Sequence, residues 1–270
     1  MVDYLAELAG HGKSYSTING IRSAISAYHN GVNGVDVGQH ALVTKVMTGI
    51  WNSNPPKPKY QGTWDVDIVL KHIISLGENS LLPDKALTHK LATLLALTTS
   101  SRVSELALLN LEHMSDKGNE VTFAIPAVTK TSRKGSKPLS ISIHRFESDG
   151  KLCPVRCLQH YIHRTTSWRR TSDQHALLLS TIGAHKPVKP STISGWMVSL
   201  MKQSGIDTEV FKGHSTRGAS TTKAFSEGVS LTDILNQANW TNAGTFKKFY
   251  CRDEAIVQTK PFETVVLTLR

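Results

Sequence analysis

Apolar residues return at helical spacing over most of this chain. Ile18, Ile21, Ile25 and Tyr28 recur every three or four positions, behind Ser16, whose hydroxyl can cap a helix start. Gly31 to Gly38 is a turn-rich break, after which Leu42, Val46, Met47 and Ile50 mark another helix. Trp64 to Leu76 reads as a helix with Thr63 as its cap. Asp84 to Leu97 is the next, with Leu87, Leu91, Leu94 and Leu95 on one side, followed by a short helix over Val103 to Leu109. The period then changes to two. Glu120 to Ile125 and Pro138 to Ile143 read as strands, and Leu139, Ile141 and Ile143 alternate with serines as in a half-buried strand. Helices resume at Pro154, Ser191, Ser215, Leu231 and Asn242, and Phe262 to Leu269 reads as a terminal strand. The expected fold class is mainly α with a small antiparallel β-sheet (α+β).

One segment interrupts this pattern. Asn54-Pro55-Pro56-Lys57-Pro58-Lys59 combines stiff prolines with solvated lysines, as a linker does. It predicts a helical domain over 1–53, a linker over 54–60 and a larger domain over 61–270. Met1 to Gly10 contains Asp3 and Glu7 and no basic stretch, unlike a secretory signal. It reads as a helix entered midway, which suggests a helical domain truncated at its N-terminal side. No internal repeat or low-complexity tract is visible.

Composition narrows the function. The 270 residues are 39% hydrophobic, enough for packed cores, and the formal net charge of +10 favours a polyanionic partner. Nucleic acid comes first and an acidic membrane surface second; a merely basic soluble protein is the plain alternative. No apolar run approaches the ~20 residues needed to span a bilayer. Cys153, Cys157 and Cys251 are too few for a disulfide scaffold and fit a reducing, intracellular setting.

The candidate chemistry lies in three separated places. Arg102 stands in Arg102-Val103-Ser104-Glu105-Leu106, and Lys130 sits between the two strands. His214 and Arg217 lie three apart and are followed by Trp240 and Phe249-Tyr250. Two guanidiniums can clamp the non-bridging oxygens of a phosphate under attack, because each planar fork donates parallel hydrogen bonds and keeps its proton. A hairpin lysine can protonate the leaving oxygen, and a tyrosine can attack phosphorus. Each residue has a simpler reading. Arg102 could merely pair with Glu105 at a helix start, Lys130 could be an ordinary solvated lysine, and Trp240 a boundary aromatic. Lys130, Arg133, Lys134 and Lys137 together make a basic hairpin tip suited to DNA phosphates.

In this order and spacing, these segments resemble the tyrosine recombinase (phage-integrase-like, Cre/Xer-type) family over nearly the whole chain. Arg102 to Leu106 is similar to the family's first arginine box, and Thr129-Lys130-Thr131 to its hairpin lysine. His214-Ser215-Thr216-Arg217 is similar to the H-x-x-R box. Trp240-Thr241-Asn242 resembles the Cre pattern, with tryptophan where many relatives carry histidine. Leu152-Cys153-Pro154-Val155 is similar to the helix start after the sheet. Phe246 to Arg252 looks most like the eukaryotic mobile-element branch, the DIRS-type and Crypton-type recombinases. Two features depart from the bacterial and Cre patterns. Their tyrosine lies nine residues after the tryptophan, where this chain has Phe249, and Tyr250 is one further on. Phenylalanine cannot be a nucleophile and the eukaryotic branch carries the F-Y form, so Tyr250 is chosen. The N-terminal part is also shorter than the family's usual DNA-gripping domain.

The resemblance implies a catalytic domain preceded by a short helical DNA-binding domain. It implies a site-specific DNA recombinase or integrase working through a 3′-phosphotyrosine intermediate. Arg102, Lys130, His214, Arg217, Trp240 and Tyr250 would be catalytic, with no metal or other cofactor. The partners would be double-stranded DNA and further copies of the chain, a dimer on one site and a tetramer in synapsis, with no membrane involved. In a eukaryotic host it would work in the nucleus. Three other readings stay open. Type IB topoisomerases use related chemistry, but Lys247-Lys248-Phe249-Tyr250 lacks the serine of their motif. Cys153, Cys157, His160 and His163 could be drawn as a zinc site, although on one helix positions 157, 160 and 163 spread around the axis and Cys153 sits before its first turn. A recombinase descendant that binds DNA and no longer recombines is the third.

Overall fold

The structure is a computed structural model. It describes residues 1–56, 60, 62–130, 132, 134–135, 137–172, 174–240, 244 and 246. The chain divides into two compact units, Met1–Lys59 and Tyr60–Arg270.

Among the described residues the first unit holds three α-helices, α1 (Val2–Gly10), α2 (Tyr15–Tyr28) and α3 (Ala41–Ser53), and a 3₁₀ turn at Val37–Gln39. Ser14, not Ser16, caps α2: its backbone is extended and its hydroxyl accepts the Thr17 N–H at 3.2 Å. Ser16 already lies inside the first turn. Leu5, Ile18, Val43, Met47 and Ile50 form the core. Tyr28 is 95% exposed despite its place in the apolar spacing. It is the last residue of its helix.

The second unit is built around α5 (Asp84–Thr99). Its other helices are α4 (Val66–Ser75), α6 (Val103–Leu106), α7 (Pro154–Arg164), α8 (Thr166–Ser172), α9 (Pro190–Gln203), α10 (Ser215–Ser226) and α11 (Leu231–Gln237). The strands β1 (Met114–Asp116), β2 (Glu120–Ile125) and β3 (Leu139–His144) pair antiparallel in the order β1-β2-β3. The register sets Val121 opposite Ile143 and Phe123 opposite Ile141, and these four side chains enter the core. The mainly α fold with a small antiparallel sheet is therefore present. Strand β1 carries no alternating apolar pattern and exists because β2 pairs with it.

Helix α5 is buried nearly all round, although its leucines suggest one apolar side. It touches α6, α7, α9, α10 and β3, so no face meets solvent along most of its length. Its threonines manage this by donating to carbonyls one turn back, as Thr93 does to His89 and Thr99 to Leu95. The expected helix at Trp64 begins only at Val66, capped by the Asp65 carboxylate, which accepts the Asp67 N–H at 2.8 Å. Trp64 lies before it with its ring in the core. The expected helix over Val103 to Leu109 stops at Leu106. The segments expected to start a helix at Asn242 and to form a terminal strand at Phe262 to Leu269 lie outside the described residues. Among the described residues no helix is long and apolar enough to cross a membrane.

Candidate active site

Helix α5 ends abruptly at Ser100, which adopts the left-handed conformation with φ 50° and ψ 26°. Only a few per cent of non-glycine residues do this, and the surrounding contacts must hold the strain. Here the Ser100 hydroxyl shares a 3.2 Å hydrogen bond with that of Ser220 on α10, and Thr99 Oγ1 accepts the Ser101 N–H at 3.3 Å. The reversal turns the chain into an extended Arg102 at the start of α6. Glu105, only 3% exposed, holds that arginine twice. One carboxylate oxygen accepts the Arg102 backbone N–H at 2.8 Å, and the other accepts Nη1 at 2.6 Å. The Arg102–Glu105 pair thus exists, and it orients the guanidinium rather than consuming it, since Arg102 still faces a pocket.

The second segment arrives on α10. Gly213 packs against Ser194 of α9 so closely that a Cβ there would lie 2.5 Å from the serine hydroxyl oxygen and 3.2 Å from its carbonyl oxygen. His214 follows, exposed, at the helix start, and Arg217 stands in the first turn, only 3% exposed. Arg217 Nη2 donates to the Ala238 carbonyl. Its Cζ lies 4.5 Å from the centroid of the Trp240 ring. Trp240 is placed by its backbone N–H, which donates to Leu235 O at 2.8 Å, and its ring packs 5.8 Å from that of Phe246. Gln237 Nε2 donates to Thr98 O at 2.8 Å, fastening the end of α11 to the end of α5.

Arg102, more than a hundred residues before His214 and Arg217 in sequence, lines one pocket of 170 Å³ with them and with Gly213, Thr216 and Met197. Trp240 joins this group through Arg217. An adjoining cleft of 680 Å³, which also uses Ser101, is lined by Thr129, Ser132, Lys137, Asp233 and Asn236. Lys130 and Lys134 are exposed on the β2–β3 connection, and neither lines that cleft although Thr129 and Lys137 do. Arg133 and Tyr250 lie outside the described residues. Two guanidiniums at one small pocket can neutralise the two non-bridging oxygens of a phosphate.

The four candidate zinc ligands do not converge: Cys153 and Cys157 are buried in the core, while His160 and His163 are exposed on α7. Burial pushes the Cys157 thiol up to about 12, whereas a zinc ligand must be a thiolate. Among the described residues no group of three or more His, Cys, Asp or Glu side chains is placed to hold a metal ion. Trp64, Gly213 and the Ala238 carbonyl, which surround Arg217 and its helix, escape a reading of the sequence. A backbone acceptor and a close approach leave no residue-type signature.

The phage integrase family model matches residues 70–255. None of the curated proteins matches the chain. Among solved structures, it is similar to the XerH site-specific recombinase bound to a palindromic difH substrate, with TM-score 0.60 and 12% identity over 98% of this chain and 70% of that one. It is similar also to the Tn1549 transposon integrase in complex with circular intermediate DNA, with TM-score 0.61 and 12% identity over 98% and 82%. A lambda integrase tetramer bound to a Holliday junction matches with TM-score 0.52 and 16% identity over 93% and 63%. At these identities the likeness is one of fold. The stretch that the family model matches contains Arg102, Lys130, His214, Arg217, Trp240 and Tyr250, and the chain belongs to the phage integrase family.

Proposed function

We propose that this chain cuts and rejoins DNA at specific sites through a 3′-phosphotyrosine intermediate. The observation that carries the reading is the pocket where Arg102, His214 and Arg217 meet. In this reaction the Tyr250 phenolate, favoured over the phenol by the surrounding cations, attacks phosphorus as the bond to the 5′ oxygen breaks, and that oxygen leaves with a proton from the Lys130 ammonium. The two arginines bind the non-bridging oxygens, His214 donates beside them, and Trp240 holds Arg217 in place. The phosphotyrosine keeps the energy of the broken bond, so a 5′ hydroxyl can reverse the step and join the strands. Because the guanidiniums carry the charge stabilisation, cleavage is expected to run at full rate in EDTA.

The unit Met1–Lys59 serves in this reading as the DNA-gripping domain, with Tyr60–Arg270 as the catalytic one. Lys130, Arg133, Lys134 and Lys137 reach DNA phosphates, and each phosphate neutralised adds about 0.9 to the log–log salt slope of binding. The F-Y form at Phe249-Tyr250 supports a place in the eukaryotic mobile-element branch, and with it work in the nucleus. The lambda integrase tetramer on a Holliday junction supports assembly as a tetramer in synapsis, and a lambda integrase dimer bound to a COC′ core site supports a dimer on one site.

The test is a nicked suicide duplex cut from DNA that the chain selects out of a random pool. The expected result is a covalent adduct mapped to Tyr250, absent in Tyr250→Phe while non-covalent binding persists. Tight binding with no adduct would instead mark a DNA-binding descendant that no longer recombines.

A further inference from the structure

We infer that Trp64 is a positioning residue for the helix that carries Arg217. The inference rests on the recombinase reading of the pocket. Trp64 lies just before α4, 5% exposed, and its indole N–H donates to Ser215 Oγ at 2.9 Å. Ser215 is the first residue of α10, and its hydroxyl in turn donates to the Lys212 carbonyl at 2.7 Å. One indole N–H thus completes a chain of hydrogen bonds across the turn that opens α10. A second tie lies two turns further along: Lys223 on α10 is bonded to Asp67 on α4. Gly213, just before this turn, packs closely against Ser194 of α9. The start of α10 is therefore held between α9 and the segment Trp64 to Asp67.

What this clamp holds is chemically sensitive. Arg217 follows Ser215 by two residues, so it lies within the same first turn, and each residue advances the helix by about 1.5 Å. Any shift or rotation of that turn moves the Arg217 guanidinium and the neighbouring His214 together. Transition-state stabilisation by a preorganised donor depends on placement to within about 0.5 Å. Trp64 touches none of the reacting atoms; it acts through Ser215. Its ring alone would satisfy the core, where phenylalanine or leucine would serve. The N–H is what the Ser215 contact uses.

The test compares Trp64→Phe, Ser215→Ala, their double variant and Ser215→Thr with the wild-type chain. The probe is the nicked suicide duplex selected by the wild-type chain from a random-sequence pool. Adduct formation is timed at saturating DNA, DNA affinity is measured separately, and melting follows the fold. We expect Trp64→Phe to slow adduct formation about ten-fold, because a ~1 Å misplacement of a catalytic group can cost about 10²-fold and the loss of one hydrogen bond moves the turn by less. DNA affinity should stay within about two-fold, since phosphate contacts spread over the surface supply it. Ser215→Ala should show the same split, Ser215→Thr should recover the rate, and the double variant should be no slower than the slower single one. A wild-type rate in Trp64→Phe, or single effects that multiply in the double, would overturn the positioning role. If Trp64→Phe does not fold, the Ser215 pair decides: equal rates in Ser215→Ala and Ser215→Thr sink the inference. These failures leave the wild-type adduct standing. Absence of an adduct in the wild type itself removes the recombinase reading and this inference with it.

Discussion

Arg217 lies over the face of Trp240, its Cζ 4.5 Å from the ring centroid, while Nη2 of the same guanidinium donates to the Ala238 carbonyl. The indole and the carbonyl therefore fix two degrees of freedom of one buried arginine. A cation–π contact at a desolvated site contributes about 2 kcal/mol. Trp240→Ala should then cut the rate of adduct formation at saturating DNA by about 10- to 30-fold, each 1.36 kcal/mol being about ten-fold. Trp240→Phe keeps a ring in place and should lose far less. Equal losses in the two variants would refute the stacking role.

Removing the guanidinium is a larger change. Arg217→Ala should keep most DNA affinity and lose about 10²–10³ in cleavage rate, the usual cost of one preorganised charge donor. Arg217→Lys should not restore it, because an ammonium lacks the planar fork that can hold two phosphate oxygens in the proposed reaction while one nitrogen bonds the Ala238 carbonyl. Binding and single-turnover cleavage on the same duplex measure both.

Gly213 makes a prediction about space. An alanine Cβ would fall 2.5 Å from Ser194 Oγ and 3.2 Å from its carbonyl oxygen, so the turn before His214 must move. Gly213→Ala should destabilise the protein by about 1–3 kcal/mol, as overpacking does. It should also slow cleavage more than it weakens DNA binding. Combining it with Ser194→Ala removes the nearest clash and should return part of both losses. Thermal melting and adduct timing check this.

Lys90 makes a prediction about pH. It is fully buried on α5, and its Nζ has no hydrogen-bond partner among the described residues. Burial pulls its ammonium below the ordinary value of 10.5. The unfolded chain therefore binds more protons than the folded one between the two pKa values, and stability rises with pH across that window. Below the folded pKa the full penalty of a buried charge applies; above 10.5 it vanishes. Lys90→Met should raise Tm at neutral pH, where about 1 kcal/mol corresponds to about 2–4 °C in a chain of this size. The gain should shrink as pH climbs toward 10.5. A gain independent of pH would show that packing rather than charge is responsible.

The period of apolar residues was enough to place α2, α3, α5 and the β2–β3 pair. Their apolar residues recur at about 3.6 or 2, a repeat written directly in residue type. Arg102, Lys130, His214, Arg217, Trp240 and Tyr250 were singled out by their order and spacing, which resemble a family pattern, and not by any period of the chain. Strand β1, the full burial of α5 and the true start of α4 were not legible in the sequence, because they depend on which elements come to lie alongside. The convergence of Arg102 with His214 and Arg217 on one pocket is likewise tertiary. It follows from a left-handed Ser100 that turns the end of α5, from a glycine that lets α9 approach, and from an Ala238 carbonyl that any residue there could supply. Backbone acceptors, close approaches and contacts such as Trp64 with Ser215, 151 positions apart, have no local pattern. Only the folded chain brings them together.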